Sequence, residues 1–442
     1  MNDRKTSNKG DVGPQLIAMG CRLNAYESEA IKGLAAASGV EDAVIVNSCA
    51  VTNEAVRQTR QHIRRARRNR PSAQIIVTGC AAQIDPGAFA AMDEVDAVLG
   101  NAEKLDNSAW SALSRKGGST DKVLVNDIMS VRDTANHLID GYGDRARAFL
   151  QIQNGCDHRC TFCVIPYGRG NSRSVPIETI ISQARRLTAA GHLELVLTGV
   201  DITSWGGDLE GAPKLGDLVA AILQRVPDLY QLRLSSIDGA EIDDHLVELI
   251  VNEPRIAPYL HLSLQSGDDM ILKRMKRRHT RRQAIDFCRD LRKRRPEIAF
   301  GADIIAGFPT ETDAMFQNSI DIVTEATLSY LHVFPFSPRE GTPAARMPQL
   351  SRAVVKERAS ELRKTGDAAT TGFLDSLIGG RDKAIVETGG RARLGNFAEV
   401  QLPALCEPRP GALVDVAIVG RKQKTLIGAI KAPVAANPLN AS

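Results

Sequence analysis

Apolar residues gather first into three short runs, Gln15–Met19, Ala43–Val46 and Gln74–Val77. Between them the spacing shifts to the three- and four-residue steps of helices, over Glu27–Ala37 and Glu54–Arg68. This alternation predicts a βαβαβ unit on a parallel sheet. Each run leads into a cysteine, in Gly20-Cys21, Ser48-Cys49 and Gly79-Cys80. Parallel strands all end on one edge of a sheet, and α/β sheets bind ligands beyond that edge, so the three thiols are expected on one rim.

A polar stretch over Asp133–Asp144 reads as an interdomain linker, and a second pattern follows it. Its strands are expected at Ala148–Ile152, Leu193–Leu197, Gln231–Leu234, Tyr259–Leu264, Phe300–Ile305 and Tyr330–Phe334, with helix-length segments between them. Six βα units predict a barrel or open partial barrel with its active site at the strand C-termini. Glu357–Lys364 reads as a closing helix. After Gly379-Gly380 the runs shorten and alternate, at Ala384–Glu387, Phe397–Leu402, Val414–Val419 and Thr425–Ile430. They predict a small antiparallel β-barrel, followed by a disordered tail from Pro433. The fold class is therefore α/β: an N-terminal parallel-sheet domain over 14–125, a partial (βα)6 barrel over 142–372 and a C-terminal β-barrel over 376–434.

Composition agrees with a globular chain. Of 442 residues 43% are hydrophobic and 24% charged, while aromatics reach only 4%, so the core must be built from Ala, Val, Leu and Ile. No window approaches the roughly 18 apolar residues of a membrane span, and the first residues lack a signal-like apolar stretch. A cytoplasmic location is expected, where thiols stay reduced. The eight cysteines are then ligands, nucleophiles or core residues. Cys288 and Cys406 have no cysteine nearby and read as inert, and His261 and His332 as hydrogen-bonded structural residues.

The sharpest chemical signal is Cys156-Asp157-His158-Arg159-Cys160-Thr161-Phe162-Cys163, in the loop after the first barrel strand. Three thiolates in this spacing can hold three irons of a 4Fe-4S cube and leave the fourth open. S-adenosylmethionine can chelate that iron through its amino and carboxylate groups. An electron from the cluster then breaks a carbon–sulfur bond and releases a 5′-deoxyadenosyl radical. The alternatives are an electron-transfer cluster, which uses four cysteines, and a zinc site with His158 as fourth ligand. Phe162 either fills the core or covers the cluster and touches an adenine.

With that loop the chain resembles the radical S-adenosylmethionine superfamily, and over nearly its whole length the methylthiotransferase family within it. Gly20-Cys21-Arg22-Leu23-Asn24-Ala25-Tyr26-Glu27-Ser28-Glu29, Asn47-Ser48-Cys49-Ala50-Val51-Thr52 and Thr78-Gly79-Cys80-Ala81 are similar to the family's three N-terminal cysteine motifs. Tyr259–Gly267, Arg274–Arg277 and Asp303–Glu311 are similar to later family stretches. The resemblance implies a second 4Fe-4S cluster on Cys21, Cys49 and Cys80, with an open iron for an exogenous sulfur or methylthio group. It implies one S-adenosylmethionine as methyl donor and another as radical source. Thr198-Gly199-Val200-Asp201 stands where the superfamily has a Gly-Gly-Glu run for the cofactor's amino group, with one Gly replaced by Thr and the acid by Asp. Asp201 could equally cap a helix. Ser235, Ser236, Gln265 and Gly307 stand at other strand ends or in the matching stretches, either as cofactor contacts or as ordinary loop formers.

Charge points to a polyanionic substrate. The net charge is only +4, yet Arg57, Arg60, Arg64 and Arg67 or Arg68 fall on one face of a predicted helix, and Lys273, Arg274, Lys276, Arg277 and Arg278, followed by Arg281 and Arg282, form a second cluster. Each is either a solvated face or a phosphate contact. The C-terminal module resembles a TRAM domain, a small RNA-binding barrel, in which Phe397 either stacks on a nucleotide or belongs to the core. Family branches methylthiolate an adenosine at position 37 of tRNA or an aspartate of a small-subunit ribosomal protein. The Cys21 motif looks most like the branch acting on N6-threonylcarbamoyladenosine, with isopentenyladenosine as runner-up. The implied partners are tRNA, a low-potential electron donor such as a flavodoxin or ferredoxin, and a sulfur donor, with no membrane. A threonylcarbamoyl carboxylate asks for a buried Arg or Lys, an isopentenyl group for an apolar wall. A non-catalytic iron–sulfur RNA-binding protein is the alternative of another class.

Overall fold

The computed structural model describes residues 13–114, 121–132, 141–142, 145–403 and 408–433. Most of the predicted linker, Cys406 and the tail beyond Pro433 lie outside these residues. Contacts divide the chain into two compact units, Met1–Leu138 with Val164–Asn171, and Ile139–Cys163 with Ser172–Ser442. Among the described residues, no helix is long and apolar enough to cross a membrane.

In the first unit, strands Gln15–Ala18, Ala43–Ser48, Gln74–Gly79, Ala97–Leu99 and Val123–Leu124 lie side by side in chain order, every pair parallel. The central strands carry apolar residues at successive positions because both faces are covered. Val44, Val46, Ile75 and Val77 pack with Ile63 and Ala66 of helix Asn53–Asn69, whereas Ile45 and Ile76 pack with Ile31 and Ala35 of helix Arg22–Ala37 and with Trp110. Helix Asn53–Asn69 starts where Thr52 accepts a hydrogen bond from the Ala55 amide at 3.1 Å, satisfying one of its orphan donors.

The second unit contains all six expected barrel strands, at Arg147–Gln151, Glu194–Thr198, Gln231–Leu234, Tyr259–Gln265, Ala299–Ala306 and Leu328–Pro335. They form two parallel sheets, one of the first three strands and one that runs from Ser236–Ile237 through the last three. The two sheets meet at Ser235, between Leu234 and Ser236, and the first strand, Arg147–Gln151, does not pair with the last, Leu328–Pro335, so the barrel is open and partial. The closing helix extends well beyond the expected span, over Arg352–Ser376. The C-terminal strands Arg381–Glu387, Arg391–Leu394, Glu399–Gln401, Leu413–Lys422 and Thr425–Pro433 close into a five-stranded barrel.

Two local expectations change there. Arg391–Leu394 forms a strand that the apolar pattern did not mark, and Phe397 stands in a turn with φ of 74°. The turn is tied by Phe397 donating its amide to the Leu394 carbonyl at 3.0 Å. The small barrel also belongs to the same compact unit as the larger one. Arg233 explains much of that: its Nε and Nη2 grip Glu194 at 2.8 and 2.9 Å, and its Nη1 donates to the Gly395 carbonyl at 2.9 Å. Both members of this ion pair are almost fully buried, with side-chain exposures of 1% and 2%. Removing one partner strands the other's charge away from water. Glu194→Gln should therefore cost about 3–5 kcal/mol in chemical denaturation, whereas a loss below about 1 kcal/mol would place the pair among surface bridges.

Candidate functional site

The three N-terminal thiols stand where strands hand over to helices. Cys21 caps helix Arg22–Ala37, Cys49 follows strand Ala43–Ser48 directly, and Cys80 opens helix Cys80–Ile84. Two glycines make room for them. Gly20 has φ of 85°, and a Cβ on it would lie 2.6 Å from the Cys49 sulfur. Gly79 has φ of 94°, and a Cβ there would collide with the Ser48 backbone. Glycine is the residue that allows both the left-handed turn and the close approach. Cys21 is exposed, and Cys49 and Cys80 are buried.

The sulfurs sense one another. Burial pushes the Cys49 thiol up to about 11, the Val51 amide opposes this, and charge on Cys80 or Cys21 raises it further. Repulsion of this kind between neighbouring thiolates is what a shared cationic cluster would convert into ligation. The donor set fits a cluster bound through three sulfurs.

In the second unit, the loop carrying Cys156, Cys160 and Cys163 is pinned through Thr161. Thr161 donates its amide to the Met275 carbonyl at 3.1 Å and its hydroxyl to the Arg274 carbonyl at 2.8 Å, and accepts the Ala344 amide at 2.9 Å. Burial pushes the Cys156 thiol up to about 12, with Asp201 acting in the same direction, the His158 amide against it, and Cys163 and Cys160 with it. Three thiols on one short pinned loop are a donor set of the kind a cluster takes. Phe162 packs with Ile271, Met275, Ile305 and Phe308, the contacts of a core residue.

Asp201 lies beside this loop. Its carboxylate is 4.0 Å from the Cys156 sulfur and 2.8 Å from His158 Nε2, and accepts hydrogen bonds from the Thr203 and Ser204 hydroxyls at 2.9 and 2.7 Å. His158 also meets Glu241 at 3.1 Å and, through Nδ1, Arg278. Gln153 was not singled out by any sequence signal, yet its buried side-chain oxygen accepts the Val200 and Asp201 amides at 3.0 and 2.9 Å and so holds the Gly199–Asp201 turn. Thr198 is buried, and its hydroxyl donates to the Val196 carbonyl at 3.0 Å. Ser235 follows strand Gln231–Leu234, Ser236 opens the next sheet, and Gln265 ends its strand at φ of 71°. The amide of Gly307 donates to Glu311 at 3.0 Å.

The arginines expected to meet RNA divide: Arg64, Arg68 and Arg278 are exposed, whereas Arg60, Arg67 and Arg277 are partly covered. Arg277 lies between the Asp238 carboxylate at 2.7 Å and the Ser263 carbonyl at 2.6 Å, and its Nη1 is 3.7 Å from the Cys160 sulfur. Arg278 pairs with Glu241. Arg67 donates to Asp96 at 2.6 Å and to three backbone carbonyls, Arg64 lies 3.7 Å from Glu94, and Arg60 covers the Phe89 ring. Arg68 is exposed. Phe397 stacks on Tyr259 with ring centroids 4.9 Å apart, and Arg393 stands 4.7 Å from its ring centre. Its contacts are those of packing. Arg233 and Arg277 of the barrel are each committed to a carboxylate of the protein.

Three barrel strands also build a polar layer. Tyr259 Oη contacts His261 Nδ1 at 2.9 Å, His261 Nε2 meets Asp303 at 2.9 Å, and His332 Nδ1 meets the same oxygen at 3.3 Å. Both histidines are thus hydrogen-bonded as expected. Burial alone would raise the Asp303 pKa, but the His261 and His332 hydrogen bonds outweigh it and hold the carboxyl well below the usual range. A carboxyl lowered in the folded state stabilises above its unfolded pKa of about 3.9 and loses that contribution as pH falls. Denaturation midpoints should therefore drop on acidification from about pH 5 to about pH 3, and Asp303→Asn should flatten that drop. An equally steep acid limb in the variant would count against the ion network.

Comparison with known proteins adds the following. A model of the radical SAM superfamily matches residues 150–323, and a model described as uncharacterized protein family UPF0004 matches residues 15–100. The threonylcarbamoyladenosine tRNA methylthiotransferase MtaB of Rickettsia prowazekii (strain Madrid E) is 52% identical over 394 residues, 89% of this chain and 92% of that protein. The protein of the same name from Aquifex aeolicus (strain VF5) is 34% identical, over 87% of this chain and 95% of its own length. Among solved structures, the radical S-adenosylmethionine methyltransferase TsrM from Kitasatospora setae is similar in fold, with a TM-score of 0.51 and 17% identity over 73% of this chain and 68% of that one.

Proposed function

Because the chain belongs to the radical SAM methylthiotransferase family, of the MtaB type, we propose that it adds a methylthio group at C2 of N6-threonylcarbamoyladenosine, at position 37 of tRNA. The observation that carries this reading is the 52% identity with a relative of that name along 89% of the chain. As a radical SAM enzyme it works with S-adenosylmethionine and a 4Fe-4S cluster. When bound, that pair supplies a carbon-centred radical strong enough to take hydrogen from a carbon that no general base could activate.

The chain's own residues have distinct tasks. Cys156, Cys160 and Cys163 would hold the cluster that supplies the radical chemistry. Asp201, oriented by Thr203, Ser204 and the turn that Gln153 fixes, presents a carboxylate to the cofactor's amino group. Arg277 directs a guanidinium N–H at the Cys160 sulfur. Ser236, Gln265 and Gly307 complete the rim, and Phe162 backs the loop from the core side. Cys21, Cys49 and Cys80 would hold a second cluster, which would supply the sulfur for transfer. The tRNA partner meets the exposed arginines, among them Arg68, and the C-terminal barrel. A low-potential electron donor of the flavodoxin or ferredoxin kind and a sulfur donor complete the partners, and the reaction belongs to the cytoplasm.

Nucleoside analysis of tRNA from cells lacking this protein tests the proposal. Loss of the methylthio group from threonylcarbamoyladenosine supports it. Loss from isopentenyladenosine reassigns the substrate, and unchanged tRNA removes the nucleic-acid reading altogether.

A further inference from the structure

The N-terminal unit buries a set of charged groups that the chemistry above leaves without a task. Lys104 and Glu27 have no exposed side-chain surface, and Arg169 has 2%. Arg169 grips the Glu27 carboxylate from one side, with Nη1 and Nη2 at 2.8 and 2.9 Å from its two oxygens. Lys104 Nζ approaches from the other at 2.7 Å. The network continues to the cysteine turns. Lys104 also donates to Asn101 Oδ1 at 2.6 Å, and the Asn101 amide nitrogen is 3.7 Å from the Cys80 sulfur. Arg169 donates to Asn24 Oδ1 at 2.6 Å, and Asn24 donates in turn to the Ser48 carbonyl at 3.0 Å, next to Cys49.

Ions removed from water cost several kcal/mol each, in rough terms, and persist where opposite charge and hydrogen bonds offset that loss. Glu27 is one such partner for the two cations. The thiols are the other. Burial opposes the charge of Arg169, yet Cys80, Glu27 and Cys21 outweigh it and hold the guanidinium well above its ordinary value. Burial likewise lowers the Lys104 ammonium, with Glu27 and Cys80 acting against it and Arg169 with it. An N–H donor thus stands at the Cys80 sulfur, and each cation is linked to a cysteine turn through one hydrogen-bonded asparagine, Lys104 through Asn101 and Arg169 through Asn24. Local charge and hydrogen bonds to ligand sulfurs are the levers by which a protein sets the reduction potential of an iron–sulfur cluster.

We infer that Arg169, Lys104, Glu27 and Asn101 form a charge-setting layer for the Cys21–Cys49–Cys80 site. The two cations and the Asn101 donor favour an electron-rich, anionic occupant, and Glu27 limits how far. They are positioning residues, acting through Cys80, and the inference rests on the reading that these three thiols hold a second cluster.

The test follows the signal of that second cluster alone. The full-length chain carrying Cys156→Ala, Cys160→Ala and Cys163→Ala is reconstituted anaerobically with iron and sulfide, and its cluster is titrated with dithionite while the paramagnetic signal is read. Lys104→Met removes a cation and should lower the midpoint potential. Glu27→Gln removes the anion and should raise it. A network that only supports the fold would move both potentials the same way or neither, and either result overturns the inference. Asn101→Leu loses the N–H donor to sulfur and should shift the potential in the Lys104→Met direction. It serves where a charged variant does not fold, and an unchanged potential there is equally fatal. If the background protein binds no cluster, the two-cluster reading falls and takes this layer with it. If the cluster is present and its potential indifferent to these substitutions, the charge-setting role alone falls.

Discussion

Cys156→Ala is expected to abolish formation of 5′-deoxyadenosine from S-adenosylmethionine, lowering activity by on the order of 10³-fold or more, as loss of an indispensable member of a catalytic unit does. The fold should survive. Cys156 is only partly buried, and the loop is held in place by the backbone and hydroxyl of Thr161, which the substitution leaves untouched. The measurement is anaerobic turnover with dithionite, followed by chromatography of the nucleoside products, alongside iron content and thermal unfolding. Cluster-derived iron should fall by one cube while the unfolding midpoint stays close to that of the wild type. Deoxyadenosine formation that persists without Cys156 would remove the radical-generating role from this loop.

The second large effect is an uncoupling. Cys80→Ala should eliminate methylthio transfer to tRNA while the protein still releases 5′-deoxyadenosine, because the proposed function gives the radical chemistry and the sulfur supply to different thiol sets. Its stability cost should be modest, about 1 kcal/mol for a methyl-sized void in a packed interior. Cys21→Ala should give the same uncoupling with a smaller cost still, since Cys21 is exposed. Comparing the ratio of deoxyadenosine to methylthiolated nucleoside across these variants separates the two roles. Coupled loss of both products in a folded Cys21→Ala protein would show that the N-terminal thiols serve radical generation instead.

Much of this architecture was legible from the chain because its signals are local. Strand ends that run into Gly20-Cys21, Ser48-Cys49 and Gly79-Cys80 put three thiols on one edge of a parallel sheet, and the structure has them there. The six barrel strands were legible for the same reason: apolar runs separated by helix-length spacers leave few other arrangements. The C-terminal barrel was less legible. Strand Arg391–Leu394 alternates arginine with alanine and leucine, so it offers only two apolar residues and no apolar run marks it.

Charged and amphipathic side chains behave differently. A run such as Lys276-Arg277-Arg278 looks the same whether its guanidiniums face water, a phosphate or a buried carboxylate. Here Arg277 and Arg278 take Asp238 and Glu241, and Arg67 takes Asp96. Glu27, Lys104 and Arg169 are distant in the chain and show no period or motif that marks them as one network.

The amino-acid order by itself determined the α/β class, the strand sequence and the two sets of three thiols, because hydrophobic period and cysteine spacing act over a few residues and need no knowledge of the folded neighbourhood. Only the tertiary structure decided which long polar side chains are withdrawn from water and onto what they close. That choice depends on the balance between desolvation and pairing at each buried position, and the partners are brought together by folding from places far apart in the chain.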